Sequence, residues 1–204
     1  MDTKLTGKTR IESDLIGARE IPAEALYGVQ TLRGIENFSI SKFRLSEYPL
    51  FIKGLAITKM AAAMANFELG LLTVEQKDAI IAACGEIIDG KHHDQFPVDM
   101  IQGGAGTTTN MNANEVIANR ALELMGHERG EYQYCSPNDH VNCSQSTNDA
   151  YPTAIHIGMY FKHLQLLPHL EELIASFRKK GEEFSRIIKM GRTQLEDAVP
   201  MTLG

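Results

Sequence analysis

The feature that most constrains the fold is a helical repeat of apolar side chains in the second half of the chain. They recur at spacings of 4, 3, 3, 4 and 3 residues, at Tyr160, Leu164, Leu167, Leu170, Ile174 and Phe177. This period places them along one side of an α-helix, so the segment predicts a long helix that packs in a bundle. Pro168 lies within the repeat, and we expect a kink or a break there because proline lacks the N–H that a helix interior needs.

Capping residues and a run of strong helix formers predict two further helices upstream of this repeat. Thr73 followed by Gln76 is a capping-box pattern, and Gly90 supplies a stop, so one helix is expected between them. A run rich in alanine and methionine, both strong helix formers, predicts another helix over 49–69 that ends at Gly70.

Three other positions carry weaker signals for the start of a helix. Pro22 precedes a run of apolar residues and is expected to open a helix. Asn112 with Glu115 resembles a second capping box and is expected to open a helix that ends near Gly126. Segment 200–204, which begins with proline, reads as the opening of another helix, so we expect the chain to be a fragment that stops inside a domain.

The predicted fold class is mainly α, because no valine- or isoleucine-rich alternation of any length is present. Residues 1–20 are polar and mixed and are expected to form a short extended arm or hairpin. Ser146 with Asp149 marks the start of the long helical stretch. We therefore predict an N-terminal mainly helical domain over 1–143 and the start of a central helical-bundle domain over 144–204.

Composition and charge exclude several classes of function. The net charge of −6 provides no basic field for binding nucleic acid or an acidic membrane surface. Charged residues within the first twenty positions argue against a signal peptide, and those within 55–72 argue against a membrane span. An odd number of cysteines without metal-ligand spacing favours a reduced, cytoplasmic setting. These cysteines are Cys84, Cys135 and Cys143.

Two polar loops, 103–112 and 143–149, carry most of the functional information. Each is rich in hydroxyl and amide side chains, and each runs directly into a helical pattern. The start of a helix leaves backbone N–H groups without partners and carries a partial positive charge, which suits a carboxylate or phosphate. Because both loops contain more hydroxyls and amides than capping requires, we interpret them as a site for a small anion.

Simpler interpretations of these and other motifs remain open. The glycines of 103–106 lack the lysine of a P-loop and the preceding strand of a Rossmann loop, and they also suit a tight turn that feeds a helix. Segment 144–149 could be a helix cap, which needs one oxygen side chain. His92 and His93 are adjacent and point apart, so a solvated pair is favoured over a metal site.

Several segments together resemble the aspartase/fumarase superfamily, and the resemblance covers the whole chain. Each segment alone is weakly specific, whereas the combination is highly specific. The segments are RIESDLIG at 10–17, YGVQTLR at 27–33, DQFPVD at 94–99, the loop and helix start at 102–115, PNDHVN at 137–142, SQSTND at 144–149 and GRTQL at 191–195.

Two positions resemble the ammonia-lyase branch of this superfamily more than the fumarase branch. Fumarases normally have histidine where this chain has Gln194, and usually also where it has Ser136. The run GEYQY at 130–134 is also similar to the ammonia-lyase branch. The resemblance implies reversible elimination of ammonia from L-aspartate to give fumarate. A class II fumarate hydratase and a non-catalytic helical assembly module are the alternatives.

The resemblance also implies roles for particular residues of this chain. Thr107 with the pair Ser146 and Thr147 would bind the substrate β-carboxylate. Asn148 would hold the amino group, Thr193 would contact the α-carboxylate, and Gln194 stands where many relatives have histidine. Three further candidates for substrate binding are weaker, namely Arg19, Arg33 and His140. For the two arginines, surface ion pairs are an equally good explanation.

The resemblance implies an L-aspartase-like architecture of three helical domains in a homotetramer, with active sites built from three subunits. Its general base is a serine on a mobile loop that would fall beyond residue 204, so the isolated chain is expected to be inactive. The elimination that the resemblance implies requires no metal or organic cofactor. A divalent cation activates some members, and the sequence offers no ligands that we can assign to one.

Overall fold

The computed structural model describes residues 7–204 and confirms a mainly helical fold, with two short β-hairpins. Two 3₁₀ turns and one π-helical turn complete it, at Leu45–Glu47, His93–Gln95 and Pro137–Val141. The main elements are β1 Thr9–Asp14, β2 Gly17–Pro22, α1 Val29–Asn37, α2 Pro49–Glu68, α3 Val74–Ile88, α4 Thr107–Leu124, α5 Thr147–Glu183, β3 Ile188–Thr193 and β4 Glu196–Thr202.

Strands β1 and β2 form an antiparallel hairpin, which confirms the prediction for the N-terminal segment as far as the structure describes it. The register pairs Thr9 with Pro22 at the open end and Asp14 with Gly17 at the tip. The guanidinium of Arg10 anchors the hairpin by donating to backbone carbonyls at residues 22–27. Positions 1–6 of that prediction lie outside the described residues.

The first helix begins later than predicted. Pro22 ends β2, and α1 begins at Val29. Two buried carboxylates fix this start: Glu115 accepts backbone N–H bonds from residues 28, 30 and 31, and Glu12 accepts the one from Val29. The N–H groups of a helix start need acceptors, and here they come from distant parts of the chain. The prediction that Pro22 opens the first helix is therefore wrong.

Helices α2 and α3 confirm the predictions for 49–69 and for the segment between Thr73 and Gly90. The Thr73 hydroxyl accepts from the backbone N–H of Gln76 at 3.2 Å, and the Gln76 side chain accepts from Thr73 N–H at 3.1 Å. This is the reciprocal capping box that the sequence indicated.

Helix α4 begins at Thr107, five residues before the predicted start, and ends at Leu124 as expected. Asn112 and Glu115 are fully buried inside this helix instead of capping it. The Asn112 amide donates to the carbonyl of Gln95 at 3.0 Å. The predicted capping box was wrong because both side chains bind backbone groups of distant segments.

The main core lies where α2, α3 and α4 pack together. Ile80 and Ile87 of α3 and Ile117 of α4 are completely buried there. Each such side chain stabilises the fold by roughly 1.5–3 kcal/mol relative to exposure. Within residues 7–204, α2 is the one helix long and apolar enough to cross a membrane, a test that the core helices of globular proteins also pass. Its contacts with α3 and α4 identify it as a core helix.

The chain divides into two compact units, Met1–Met159 and Tyr160–Gly204. Helix α5 is continuous from Thr147 to Glu183, so a break at Pro168 is wrong, and a kink there stays a prediction. Proline removes a single backbone hydrogen bond, and the leucines and glutamates around it are good helix formers. The predicted domain boundary between 143 and 144 falls in the loop before α5 and stays a prediction for the domains of the whole protein.

The second unit ends in a hairpin that the sequence did not reveal. Strands β3 and β4 pair antiparallel, with Ile188 opposite Thr202, and Gln194 and Leu195 form the turn with φ of 52° and 68°. The expectation of a helix opening at 200–204 is therefore wrong. Within residues 7–204 each of these strands pairs with one other strand, and edge strands tolerate proline where its nitrogen faces away from the partner.

Candidate functional site

The first polar loop ends in a sharp turn at the start of α4. Gly106 is the residue before the helix and has a φ of 92°, a conformation that favours glycine. Gln102 closes the loop, since its amide donates to the Thr109 hydroxyl at 2.6 Å and its carbonyl accepts from Thr109 N–H at 2.9 Å. Thr107, a predicted substrate-binding residue, is exposed as the first residue of the helix.

The second polar loop ends at the start of α5, as predicted. The Ser146 hydroxyl accepts from the backbone N–H of Asn148 at 3.2 Å, and its carbonyl accepts the first helical bonds. Ser146 therefore caps the helix. Ser146 and Asn148 are exposed, and Thr147 is half-buried. The loop thus combines a helix start with three predicted substrate-binding side chains.

The two loops lie against each other in the first unit. The amide of Asn110, in the first turn of α4, donates to the Thr147 hydroxyl at 3.2 Å. Gly106 lies so close to the ring of Tyr151 that a side chain at position 106 would overlap it. A cavity of about 440 Å³ opens beside this contact, lined in part by Gly106, Asn148 and Tyr151. Two helix starts, each with partial positive charge, therefore face one small region.

Sequence reasoning missed Lys59, which lies buried among the residues that carry the second loop. Its side chain is fully buried in α2, and its amine donates to the Asn142 side chain at 2.9 Å and the Gln145 side chain at 3.0 Å. Burial lowers the pKa of this amine to about 7, with a small opposing effect from Cys84. The available signal was a lysine within an apolar helix run, which we used only as an argument against a membrane span.

Thr193 and Gln194 belong to the second unit. Thr193 is the last residue of β3, and Gln194 is the first residue of the turn that follows. Both are exposed. Their predicted contacts with substrate stay predictions.

The three weaker candidates each have a partner within the chain. Arg33 binds Asp14 at 2.8 Å, a bond that lowers the pKa of Asp14 to about 2. Arg19 lies 3.7 Å from Glu36 on the surface. His140 accepts a backbone N–H bond at Nδ1 from the residue four positions earlier, at 2.8 Å. Roles in substrate binding stay predictions for all three.

No metal centre is apparent in the described residues. Between 7 and 204 there is no group of three or more His, Cys, Asp or Glu side chains arranged to hold a metal ion. His92 contacts the Glu86 carboxylate at 2.8 Å, and His93 contacts a backbone carbonyl at 2.9 Å. The two rings therefore point to different partners, as expected for adjacent histidines. Both are half-buried and bonded within the chain, so the expectation of a solvated pair is wrong.

A family model described as Lyase matches residues 17–204 of this chain. The aspartate ammonia-lyase of Pseudomonas canavaninivorans is 61% identical over 195 residues, which is 96% of this chain and 41% of that protein. The aspartate ammonia-lyase of Escherichia coli K12 is 57% identical over 201 residues, or 98% of this chain and 42% of that protein. The chain thus spans about two fifths of the length of these curated relatives.

Solved structures share the fold. The fumarate lyase:delta crystallin of Brucella melitensis bound to cobalt superimposes with a TM-score of 0.91 at 55% identity, covering 96% of this chain and 43% of that one. The class II fumarase of Schistosoma mansoni gives a TM-score of 0.86 at 39% identity, covering 96% and 41%.

Proposed function

The chain belongs to the lyase family whose model matches residues 17–204, and from this membership we propose that it forms part of an enzyme that reversibly eliminates ammonia from L-aspartate to give fumarate. Relatives named aspartate ammonia-lyase, at 57–61% identity, support this choice. The structural observation that carries it is the meeting of two polar helix starts at the bond from Asn110 to Thr147.

The proposed site uses hydroxyl donors at these helix starts to bind the substrate β-carboxylate. Thr107, Ser146 and Thr147 are the proposed donors, and Asn148 is proposed to hold the amino group. Exposure of Thr107 and Ser146 in the first unit supports access for a ligand. Thr193 is proposed to contact the α-carboxylate, and Gln194 is proposed as a further substrate-binding residue.

The proposed chemistry requires donors of this kind. Removing a proton from the carbon beside a carboxylate places extra negative charge on the carboxylate oxygens. Donors held in place before the reaction bind that charged form more tightly than the substrate and so lower the barrier. The family resemblance implies that a serine beyond residue 204 is the base. We therefore propose that these residues bind the carboxylate and do not remove the proton.

For the whole enzyme we propose a cytoplasmic homotetramer that requires no cofactor, with a divalent cation as an optional activator. The apolar repeat on α5 supports assembly. In the second unit, large apolar side chains along this helix, including Leu164, Ile174 and Phe177, are exposed. Such a face is typical of helices that pack against other chains.

A chimeric enzyme provides the test. Residues 1–204 replace the matching region of the Escherichia coli aspartate ammonia-lyase, which is 57% identical over 201 residues. Formation of fumarate is followed by its absorbance, with L-aspartate and L-malate as alternative substrates. The 204-residue chain alone serves as the second sample.

We expect the chimera to use aspartate and the chain alone to be inactive. Similarity to a class II fumarase at 39% identity makes hydration of fumarate the second candidate. A folded chimera that prefers malate would establish that candidate and overturn our proposal. Rapid turnover of aspartate by the chain alone would contradict the proposal that these residues bind the substrate and do not supply the base.

A further inference from the structure

The buried amine of Lys59 fixes the direction of a hydrogen-bond network that leads to the proposed site. In the described part of the chain, its hydrogen-bond partners are the side-chain oxygens of Asn142 and Gln145. The protonated amine has three protons and no lone pair, so it donates to both oxygens and accepts from neither. Both amide side chains must therefore turn an oxygen, and not an NH₂ group, toward Lys59.

Asn142 passes this direction on to helix α4. The same Asn142 oxygen accepts from the Asn110 amide at 3.0 Å and from the Asn114 amide at 3.2 Å. The NH₂ group of Asn142 donates to the carbonyl of Gln145 at 3.2 Å, which agrees with this orientation. An amide side chain can face either way when its partners permit both. Here the Lys59 amine and the backbone carbonyl of Gln145 together leave one favourable orientation for Asn142, and so one for Asn110.

The network ends at Thr147. The NH₂ group of Asn110 donates to the Thr147 hydroxyl at 3.2 Å. Within residues 7–204, the Thr147 hydroxyl makes this one hydrogen bond. A hydroxyl has one proton to donate. Because Thr147 already accepts from Asn110, its own proton is left for another acceptor.

We propose that Lys59 is a positioning residue that acts through Asn142 and Asn110 to present the Thr147 hydroxyl as a donor to the substrate carboxylate. This inference rests on the proposed function. Without Lys59, Asn142 loses its shortest hydrogen bond, and the 3.2 Å bonds with Gln145 and Asn114 remain, so the two amides reverse more readily. The Thr147 proton can then bond to the Asn110 oxygen. That bond would compete directly with the substrate.

The chain offers a matched control for simple loss of stability. Asn110 and Asn112 are both buried asparagines of α4, and each has a side-chain oxygen without a partner. Asn110 points to Thr147, whereas Asn112 donates to the backbone of Gln95. In the chimera, Asn110→Ala and Asn112→Ala should both lower the melting temperature. Only Asn110→Ala should lower kcat/KM, by about tenfold or more, because it alone affects a preorganised donor.

A double-mutant cycle isolates the path through Thr147. Lys59→Met keeps the length of the side chain and removes its donors, and in the chimera it should lower kcat/KM by about 100-fold. In a Thr147→Val background, which already lacks the hydroxyl, the same change should lower kcat/KM by only about twofold. A purely structural role would give the same loss in both backgrounds, and that result would overturn the proposal. Equal losses of activity for Asn110→Ala and Asn112→Ala would overturn it as well.

A measurement without activity separates this proposal from the proposed function. In the 204-residue chain, NMR should show slow hydrogen exchange of the Asn110 side-chain amide, and Lys59→Met should abolish the protection. Unchanged exchange in Lys59→Met would refute the network even if the chimera is active. An inactive unsubstituted chimera with the expected exchange behaviour would instead count against the proposed function alone.

Discussion

Replacing Glu115 with glutamine should destabilise the fold strongly, because this carboxylate holds the start of α1. One of its oxygens accepts from Gly28 N–H at 2.9 Å and Thr31 N–H at 3.0 Å, and the other accepts from Gln30 N–H at 2.8 Å. The side chain is 1% exposed. Glutamine has the same shape but only one oxygen.

The magnitude follows from what glutamine can still accept. Its oxygen can keep the bonds from Gly28 and Thr31, while its NH₂ group then faces the N–H of Gln30. One charge-assisted bond is lost, worth about 1.5–3 kcal/mol, and a buried donor is left without a partner. Burial raises the pKa of Glu115, so removing its charge returns part of the loss. We therefore expect the free energy of unfolding to fall by about 2–4 kcal/mol.

Urea unfolding of the 204-residue chain, followed by circular dichroism, measures this change. Glu75→Gln is the control, since Glu75 is an exposed glutamate in the first turn of α3. Its effect should stay within about 0.5 kcal/mol. A Glu115→Gln variant as stable as that control would refute the view that the buried carboxylate fixes α1.

Three further predictions concern the loop, the thiols and acid stability. Gly106→Ala should lower both the melting temperature and the aspartate activity of the chimera, because position 106 has a φ of 92° and touches a tyrosine ring of α5; normal activity would contradict the tight turn. Cys84 and Cys135 are buried, which raises the pKa of each thiol to about 12, so they should react with a thiol reagent at pH 8 only after unfolding; fast native labelling would argue against this packing. The bond from Arg120 lowers the pKa of Glu86 from 4.5 to about 2, so its stabilising effect is present above pH 4.5 and is lost as pH falls toward 2. Glu86→Gln should flatten this part of the stability curve, and an unchanged curve would contradict it.

Local chemistry predicted the elements whose signals lie close together in sequence. The capping box at Thr73 and Gln76 involves residues three positions apart, and the helix forms as expected. The start of α5 at Ser146 was likewise predicted from the sequence, since the capping oxygen and the N–H that it binds are two residues apart.

Elements fixed by distant partners could not be predicted in the same way. The start of α1 depends on Glu115, more than 80 residues further along the chain. Asn112 and Glu115 have the spacing of a capping box, but both side chains form hydrogen bonds with backbone groups of other segments. The hairpin of β3 and β4 depends on a two-residue turn at Gln194 and Leu195, neither of which is a typical turn residue.

The candidate site shows the same division. Hydroxyl-rich loops at helix starts were visible in the sequence, and the structure brings the first loop against Thr147 and Asn148. Lys59 was not identified, because its importance comes from partners more than 80 residues away in the chain, Asn142 and Gln145. An isolated lysine in an apolar run does not reveal which groups it will meet.

A crystal structure of the chimera with bound succinate tests the central claim most directly. Succinate has the two carboxylates of the proposed substrate but no amino group to eliminate. We predict one carboxylate within hydrogen-bond distance of the Thr147 hydroxyl and of Thr107 or Ser146. Succinate bound elsewhere, with no contact to either polar loop, would contradict the account.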